Sequence, residues 1–211
     1  MKRSLKIKVC GLLYPENIEA VCALEPDFVG YIFYPGSKRY VGKKPDPAIF
    51  GIPGDGILKT GVFVNEEISK VEESFSMYRL DLVQLHGEES PQYCQKMKDA
   101  GIPVIKVLNP DFVNGGSSPG AYKKGVDYLL FDTPGKEYGG TGRKFDWDLL
   151  DKSFIPIPFL LSGGIGPEDG TAIRELRHER LFGIDLNSRF ELSPGLKDVN
   201  LLEGFMKEIR K

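Results

Sequence analysis

Residues 81–108 read DLVQLHGEESPQYCQKMKDAGIPVIKVL. Asp81–His86 is an apolar run of strand length, and Pro103–Leu108 is a second. Ser90–Ala100 lies between them and reads as a helix. Ser90-Pro91 supplies a cap and a first-turn proline, and Gly101 follows the last turn. Two apolar strands joined by a helix make a parallel crossover unit.

The same pattern extends in both directions. Strand-like runs occupy Leu5–Cys10, Phe28–Phe33, Ile57–Val64, Asp127–Asp132, Pro158–Ser162 and Leu181–Leu186, which makes eight in all. Helices are expected over Pro15–Leu24, Glu66–Tyr78 (with Asn65 as N-cap), Pro167–Leu176 and Leu196–Ile209. Asp46–Phe50 and Trp147–Asp151 are shorter candidates. Asn109–Lys124 is rich in Gly, Ser and Pro, so a loop or short element stands where the helix after strand five belongs. Eight alternating strands and helices in 211 residues predict an α/β fold, a single (β/α)8 TIM barrel, with residues 1–211 forming one catalytic domain. An open doubly wound sheet is the alternative. Its Gly-x-Gly-x-x-Gly fingerprint is missing after strand one, where the chain reads Cys10-Gly11-Leu12-Leu13-Tyr14.

Composition excludes several classes of function. The formal net charge is −2, so no basic field exists to hold a nucleic-acid backbone. No apolar run is long enough to cross a membrane, and the N-terminus lacks a signal-peptide core. Three widely spaced cysteines (Cys10, Cys22, Cys94) form no disulfide framework and point to a reducing, cytoplasmic location. Two histidines make a multi-histidine metal site unexpected. The sequence leaves homodimer and monomer open. Glycine (25) and proline (15) together exceed the average share of about 12%, which places the excess in turns and tight loops.

In a barrel of this kind the chemistry sits at the C-terminal ends of the strands. Strand one ends Lys8-Val9-Cys10-Gly11. Alternation puts Lys6, Lys8 and Cys10 on one face, pointing into the barrel, with Cys10 nearest the mouth. Position alone leaves Cys10 as either a small buried hydrophobe or a functional thiol. Strand six ends at Asp132, which reads as a turn-capping residue or as a partly desolvated acid. Strands one and six are not neighbours, so Cys10 and Asp132 face each other across the mouth. Strand seven runs into Gly163-Gly164 and strand eight into Ser188-Arg189. Loops after strands seven and eight hold phosphate in many barrels of this type. We read Gly163, Gly164, Ser188 and Arg189 as a phosphate site in preference to a pair of plain tight turns. His86 closes strand four, as a pocket residue or a structural hydrogen-bonding one. Phe145 and Trp147 read as helix-start packing. Lys136–Arg143, with Gly139, Gly140 and Gly142, is the lid candidate.

Nine segments together resemble one family, the phosphoribosylanthranilate isomerases. They include Lys8-Val9-Cys10-Gly11, Ser37-Lys38-Arg39-Tyr40-Val41, Gly61-Val62-Phe63-Val64-Asn65 and Val83-Gln84-Leu85-His86-Gly87-Glu88. They continue through Phe131-Asp132-Thr133, Tyr138-Gly139-Gly140-Thr141-Gly142, Phe145-Asp146-Trp147, Leu161-Ser162-Gly163-Gly164 and Ser193-Pro194-Gly195-Leu196-Lys197-Asp198. The resemblance implies an isomerase of tryptophan biosynthesis acting on a small phosphorylated substrate by an Amadori rearrangement, with no cofactor and no metal. It implies Cys10 as general base, Asp132 as general acid and Arg39 as the contact for the anthranilate carboxylate. A free thiol titrates near about 8.5, and Lys8 on the same strand face is the expected source of help. One departure stands out. Many members resembling this chain carry Ser-Ser-Gly-Val-Glu after strand eight, where this chain has Asn187-Ser188-Arg189-Phe190-Glu191. Arg189 is therefore expected to meet phosphate through its side chain. Another sugar-phosphate isomerase of the same barrel group, or a non-catalytic barrel that binds a phosphorylated ligand, is the alternative.

Overall fold

The computed structural model describes residues 5–110, 118–133, 144–151 and 153–211. Eight parallel strands form a closed barrel in chain order. They are β1 (Lys6–Cys10), β2 (Phe28–Ile32), β3 (Leu58–Phe63) and β4 (Leu82–Leu85), then β5 (Val104–Leu108), β6 (Tyr128–Phe131), β7 (Phe159–Leu161) and β8 (Leu181–Leu186). Closure comes from β8 pairing with β1, with Lys6 opposite Gly183 and Lys8 opposite Asp185. Every strand expected from the sequence is present, each within two residues of its expected ends. Closure gives each of the eight barrel strands a neighbour on both sides.

The helices are α1 (Pro15–Cys22), α2 (Ile68–Met77), α3 (Pro91–Asp99), α4 (Asp148–Asp151), α5 (Gly170–Glu175) and α6 (Val199–Ile209). The Ser90 hydroxyl accepts from the Tyr93 N–H at 3.2 Å, the cap that the Ser-Pro pair predicts. Three expectations need correction. Asn65 does not cap α2, which starts two residues later than expected. Asn65 instead takes a left-handed backbone (φ 50°), and its Oδ1 accepts from the Glu88 N–H. Its short amide side chain tolerates that conformation and is spent on a neighbouring loop. Leu196 and Lys197 are not helical. They form a two-residue strand, β10, antiparallel to β9 (Glu191–Ser193), and α6 begins after the Asp198 cap. Pro167–Leu176 divides into a 3-10 turn, Pro167–Asp169, and α5. After β5 the described part of the connection holds only the 3-10 turn Pro119–Tyr122, in keeping with the short element expected there.

Two cores result from strand alternation. Outward residues such as Ile7, Val9, Val29 and Val83 pack beneath the helices. Inward residues Phe28, Leu82, Ile105, Val107, Leu130 and Leu160 fill the barrel, with Tyr128 and Phe182 packed against them. This apolar filling serves as a floor. Lys8, Thr60, Gln84 and Asp185 are also buried, and they belong to inward positions of their strands. Polar side chains are thus held above the apolar filling, toward the C-terminal ends of the strands. Lys6 departs from the expected row: it is exposed and donates to Asp27 at 2.6 Å.

Candidate active site

A cavity of about 680 Å³, counted with its open mouth, lies at the C-terminal ends of the strands. Cys10, Arg39, Asp132, Gly163, Gly164 and Ser188 all line it, so six of the seven residues expected from the sequence come together.

Cys10 ends β1 and is buried. Gly30, beside it on β2, is the reason the thiol fits: a Cβ there would stand 2.6 Å from Sγ. Lys8 lies one inward position below. Its ammonium donates to Asp185 Oδ1 at 2.9 Å. Lys8 is fully buried, which favours deprotonation, but the charges of Asp185 and Cys10 outweigh that and hold it protonated. Burial pushes the Cys10 thiol above its ordinary value. Lys8 and Lys197 pull it back, while Asp185 adds to the rise. The thiol is therefore a strong base once ionised, and two cations favour its ionisation.

Asp132 follows β6. Its Oδ1 accepts from the Thr133 N–H at 2.8 Å, and its Oδ2 lies 3.3 Å from His86 Nε2. The other ring nitrogen of His86 lies 3.3 Å from Gln84 Nε2. An amide N–H directed at Nδ1 leaves the ring proton on Nε2, where it donates to Asp132. Gln84 and His86 both line the cavity, so His86 is a pocket residue.

The two other poles of the cavity are Arg39 and the Gly163-Gly164 turn. Arg39 donates from Nε and Nη2 to the Glu191 carboxylate at 2.9 and 2.6 Å. Ile32, Val62 and Val64 supply apolar wall in the same cavity. Gly163 and Gly164 are both left-handed (φ +83° and +70°), and a Cβ on Gly163 would collide with Thr133 Oγ1 at 2.4 Å. Only glycine lets the backbone come this close. Arg189 is not among the lining residues. Its Nη2 donates to Glu168 Oε1 at 2.9 Å on an exposed rim, and Lys144 donates to the same oxygen at 3.0 Å. Arg189 thus ties the segment after β8 to the turn after β7. The lid candidate Lys136–Arg143 lies outside the described residues.

Asp185 and Gln84 line the cavity, and Glu191 and Lys197 stand behind Arg39; none of the four was expected there. Glu191 and Lys197 belong to segments that the resemblance covers, but nothing in their spacing points inward. Among the described residues no cluster of three or more His, Cys, Asp or Glu could hold a metal ion. Among them, too, no helix is long and apolar enough to cross a membrane.

Comparison with known proteins matches this chain to one family. A family model described as N-(5'phosphoribosyl)anthranilate (PRA) isomerase matches residues 7–208. An N-(5'-phosphoribosyl)anthranilate isomerase of Parabacteroides distasonis is 45% identical over 204 residues, covering 96% of this chain and 92% of that protein. The crystal structure of the Thermotoga maritima phosphoribosyl anthranilate isomerase superposes with a TM-score of 0.80 at 33% identity, covering 97% and 98% of the two chains. A structure of phosphoribosyl anthranilate isomerase in complex with reduced 1-(o-carboxyphenylamino)-1-deoxyribulose 5-phosphate gives a TM-score of 0.76 at 30% identity, with the same coverage.

Proposed function

The chain belongs to the N-(5'-phosphoribosyl)anthranilate isomerase family of tryptophan biosynthesis, and we propose that Cys10 and Asp132 are its general base and general acid. One observation carries this reading: the two side chains line one cavity from β1 and β6, strands separated by β7 and β8. They can therefore work on different atoms of one small substrate.

The substrate is N-(5-phosphoribosyl)anthranilate. Its phosphate lies against Gly163, Gly164 and Ser188, with the Arg189 guanidinium on the nearby rim. Its aryl carboxylate meets Arg39, and Ile32, Val62 and Val64 flank the ring. This leaves the ribose between Cys10 and Asp132. The anthranilate nitrogen pushes its lone pair toward C1, the C1–O bond breaks, and Asp132 delivers a proton to the departing ring oxygen. C1 and nitrogen are now joined as an iminium. The Cys10 thiolate removes the proton from C2, and the C2–H electrons neutralise the iminium to give an enolamine. Transfer of the enol proton to C1 yields the C2 ketone, 1-(2-carboxyphenylamino)-1-deoxyribulose 5-phosphate.

Residues 1–211 act as one catalytic barrel domain in this reading. The free state of Cys10, Cys22 and Cys94 supports a cytoplasmic location. The test is loss of anthranilate fluorescence as substrate turns over. Cys10→Ala and Asp132→Asn each lose at least about 10²–10⁴ in kcat. A Cys10→Ala protein that retains full activity overturns the assignment of the base.

A further inference from the structure

We propose that Lys197 is a specificity-determining residue for the aryl carboxylate of the substrate, acting through Glu191 and Arg39. This rests on the reading above that Arg39 receives that carboxylate.

Arg39 is already engaged. Two of its nitrogens donate to Glu191, the shortest contact being 2.6 Å. A guanidinium so paired is locally neutral and offers no net attraction to a second carboxylate. Lys197 changes the count. Its ammonium donates to Glu191 Oε1 at 2.8 Å and to Asn187 Oδ1 at 2.7 Å. Arg39, Glu191 and Lys197 together carry one net positive charge, and Arg39 is the member that lines the cavity. A single ligand carboxylate neutralises it.

The hairpin after β8 is built to hold Lys197 there. Lys197 pairs across the β9–β10 ladder with Glu191 itself. Its backbone is clamped from α1, where Asn17 Oδ1 accepts from the Lys197 N–H at 2.8 Å and Asn17 Nδ2 donates to the Lys197 carbonyl at 2.9 Å. The charged groups facing Lys197 are Glu191 on the hairpin, Arg39 from the loop after β2 and the Cys10 thiol from β1. Behind Cys10, Lys8 and Asp185 cancel one another. No second anion balances Lys197 within this group, so its charge is buried at a cost. Burial accordingly lowers its pKa to about 8, and Glu191 only partly offsets the effect. Binding of a carboxylate relieves that cost, which makes recognition selective for the charged ring.

The test measures dissociation constants for two probes. One is reduced 1-(o-carboxyphenylamino)-1-deoxyribulose 5-phosphate, and the other is the same molecule without its ring carboxylate. Lys197→Met weakens the carboxylate probe at least about tenfold and the other less than about twofold, while Lys197→Arg keeps the preference. In the unmodified protein the preference declines as pH rises through about 8, because the ammonium discharges; in Lys197→Arg it stays flat. Repeating the titration in Cys10→Ser removes the thiol's own charge from the comparison. Equal weakening of both probes by Lys197→Met, or of neither, overturns the inference. Should Lys197→Met fail to fold, the pH titration of the unmodified protein decides, and a flat ratio overturns the inference. Arg39→Met separates the two levels of argument. If it spares the carboxylate probe, the reading of Arg39 itself is wrong. If it weakens that probe while Lys197→Met does not, only the role of Lys197 falls.

Discussion

Gly30 and Cys10 stand as neighbours on adjacent strands with no room between them for a methyl group, since a Cβ at position 30 would lie 2.6 Å from Sγ. The glycine thus sets where the thiol stands. Gly30→Ala displaces Sγ by a substantial fraction of an ångström. A misplacement of this kind costs about 10²-fold in rate. Steady-state kinetics should show that loss in kcat while circular dichroism stays native. Unchanged kcat would mean that the thiol position is not critical.

Lys8 and Asp185 form a pair buried inside the barrel. Lys8→Met leaves a buried carboxylate without its cation, at a cost of about 3–5 kcal/mol. Urea unfolding at neutral pH reads that loss directly. The same substitution removes the larger of the two cationic influences on Cys10, so the thiol rises further above its ordinary value. The rising limb of kcat/KM against pH therefore moves to higher pH. A limb that stays in place separates Lys8 from the activation of the thiol.

Gln84 directs its amide nitrogen at His86 Nδ1, which assigns the ring proton to Nε2 beside Asp132. The chain has only two histidines, so nitrogen-15 labelling of histidine gives two readily assigned rings. The spectrum should show His86 as the Nε2–H tautomer. His86→Leu removes that donor and lowers kcat about tenfold, less than loss of the proton-transfer group itself, with little change in KM. A ring protonated on Nδ1 alone contradicts the assignment.

Arg189 is paired with Glu168 on the rim. An exposed pair of this kind contributes at most about 1 kcal/mol to stability, so its value is to be sought in binding. Arg189→Ala should raise KM several-fold with kcat and thermal stability unchanged, and added salt should shrink the difference. Glu168→Gln releases the guanidinium and should lower KM. If Arg189→Ala leaves KM alone, Arg189 has no part in holding phosphate.

Much of this protein is written in local sequence. Strand and helix alternate visibly because strand residues must be apolar on both faces of a buried parallel sheet, while helix ends carry caps, prolines and glycines. Cys10, Asp132 and the Gly163-Gly164 turn were legible for a related reason: they follow apolar runs directly, and in a barrel those ends converge. Some of the glycine excess is explained there too, at Gly30, Gly163 and Gly164, where backbone or thiol needs the space of a missing side chain. Tertiary structure alone decided which charges meet. Glu191 and Lys197 lie in a hairpin that local pattern reads partly as helix, and Arg39 reaches Glu191 across a separation of 152 residues. The pairing of Arg189 with Glu168 is likewise invisible in the local sequence. Ion pairs of this sort depend on distances of a few ångströms between segments remote in the chain. Periodicity and capping carry no information about such distances, because they report only on neighbours along the backbone.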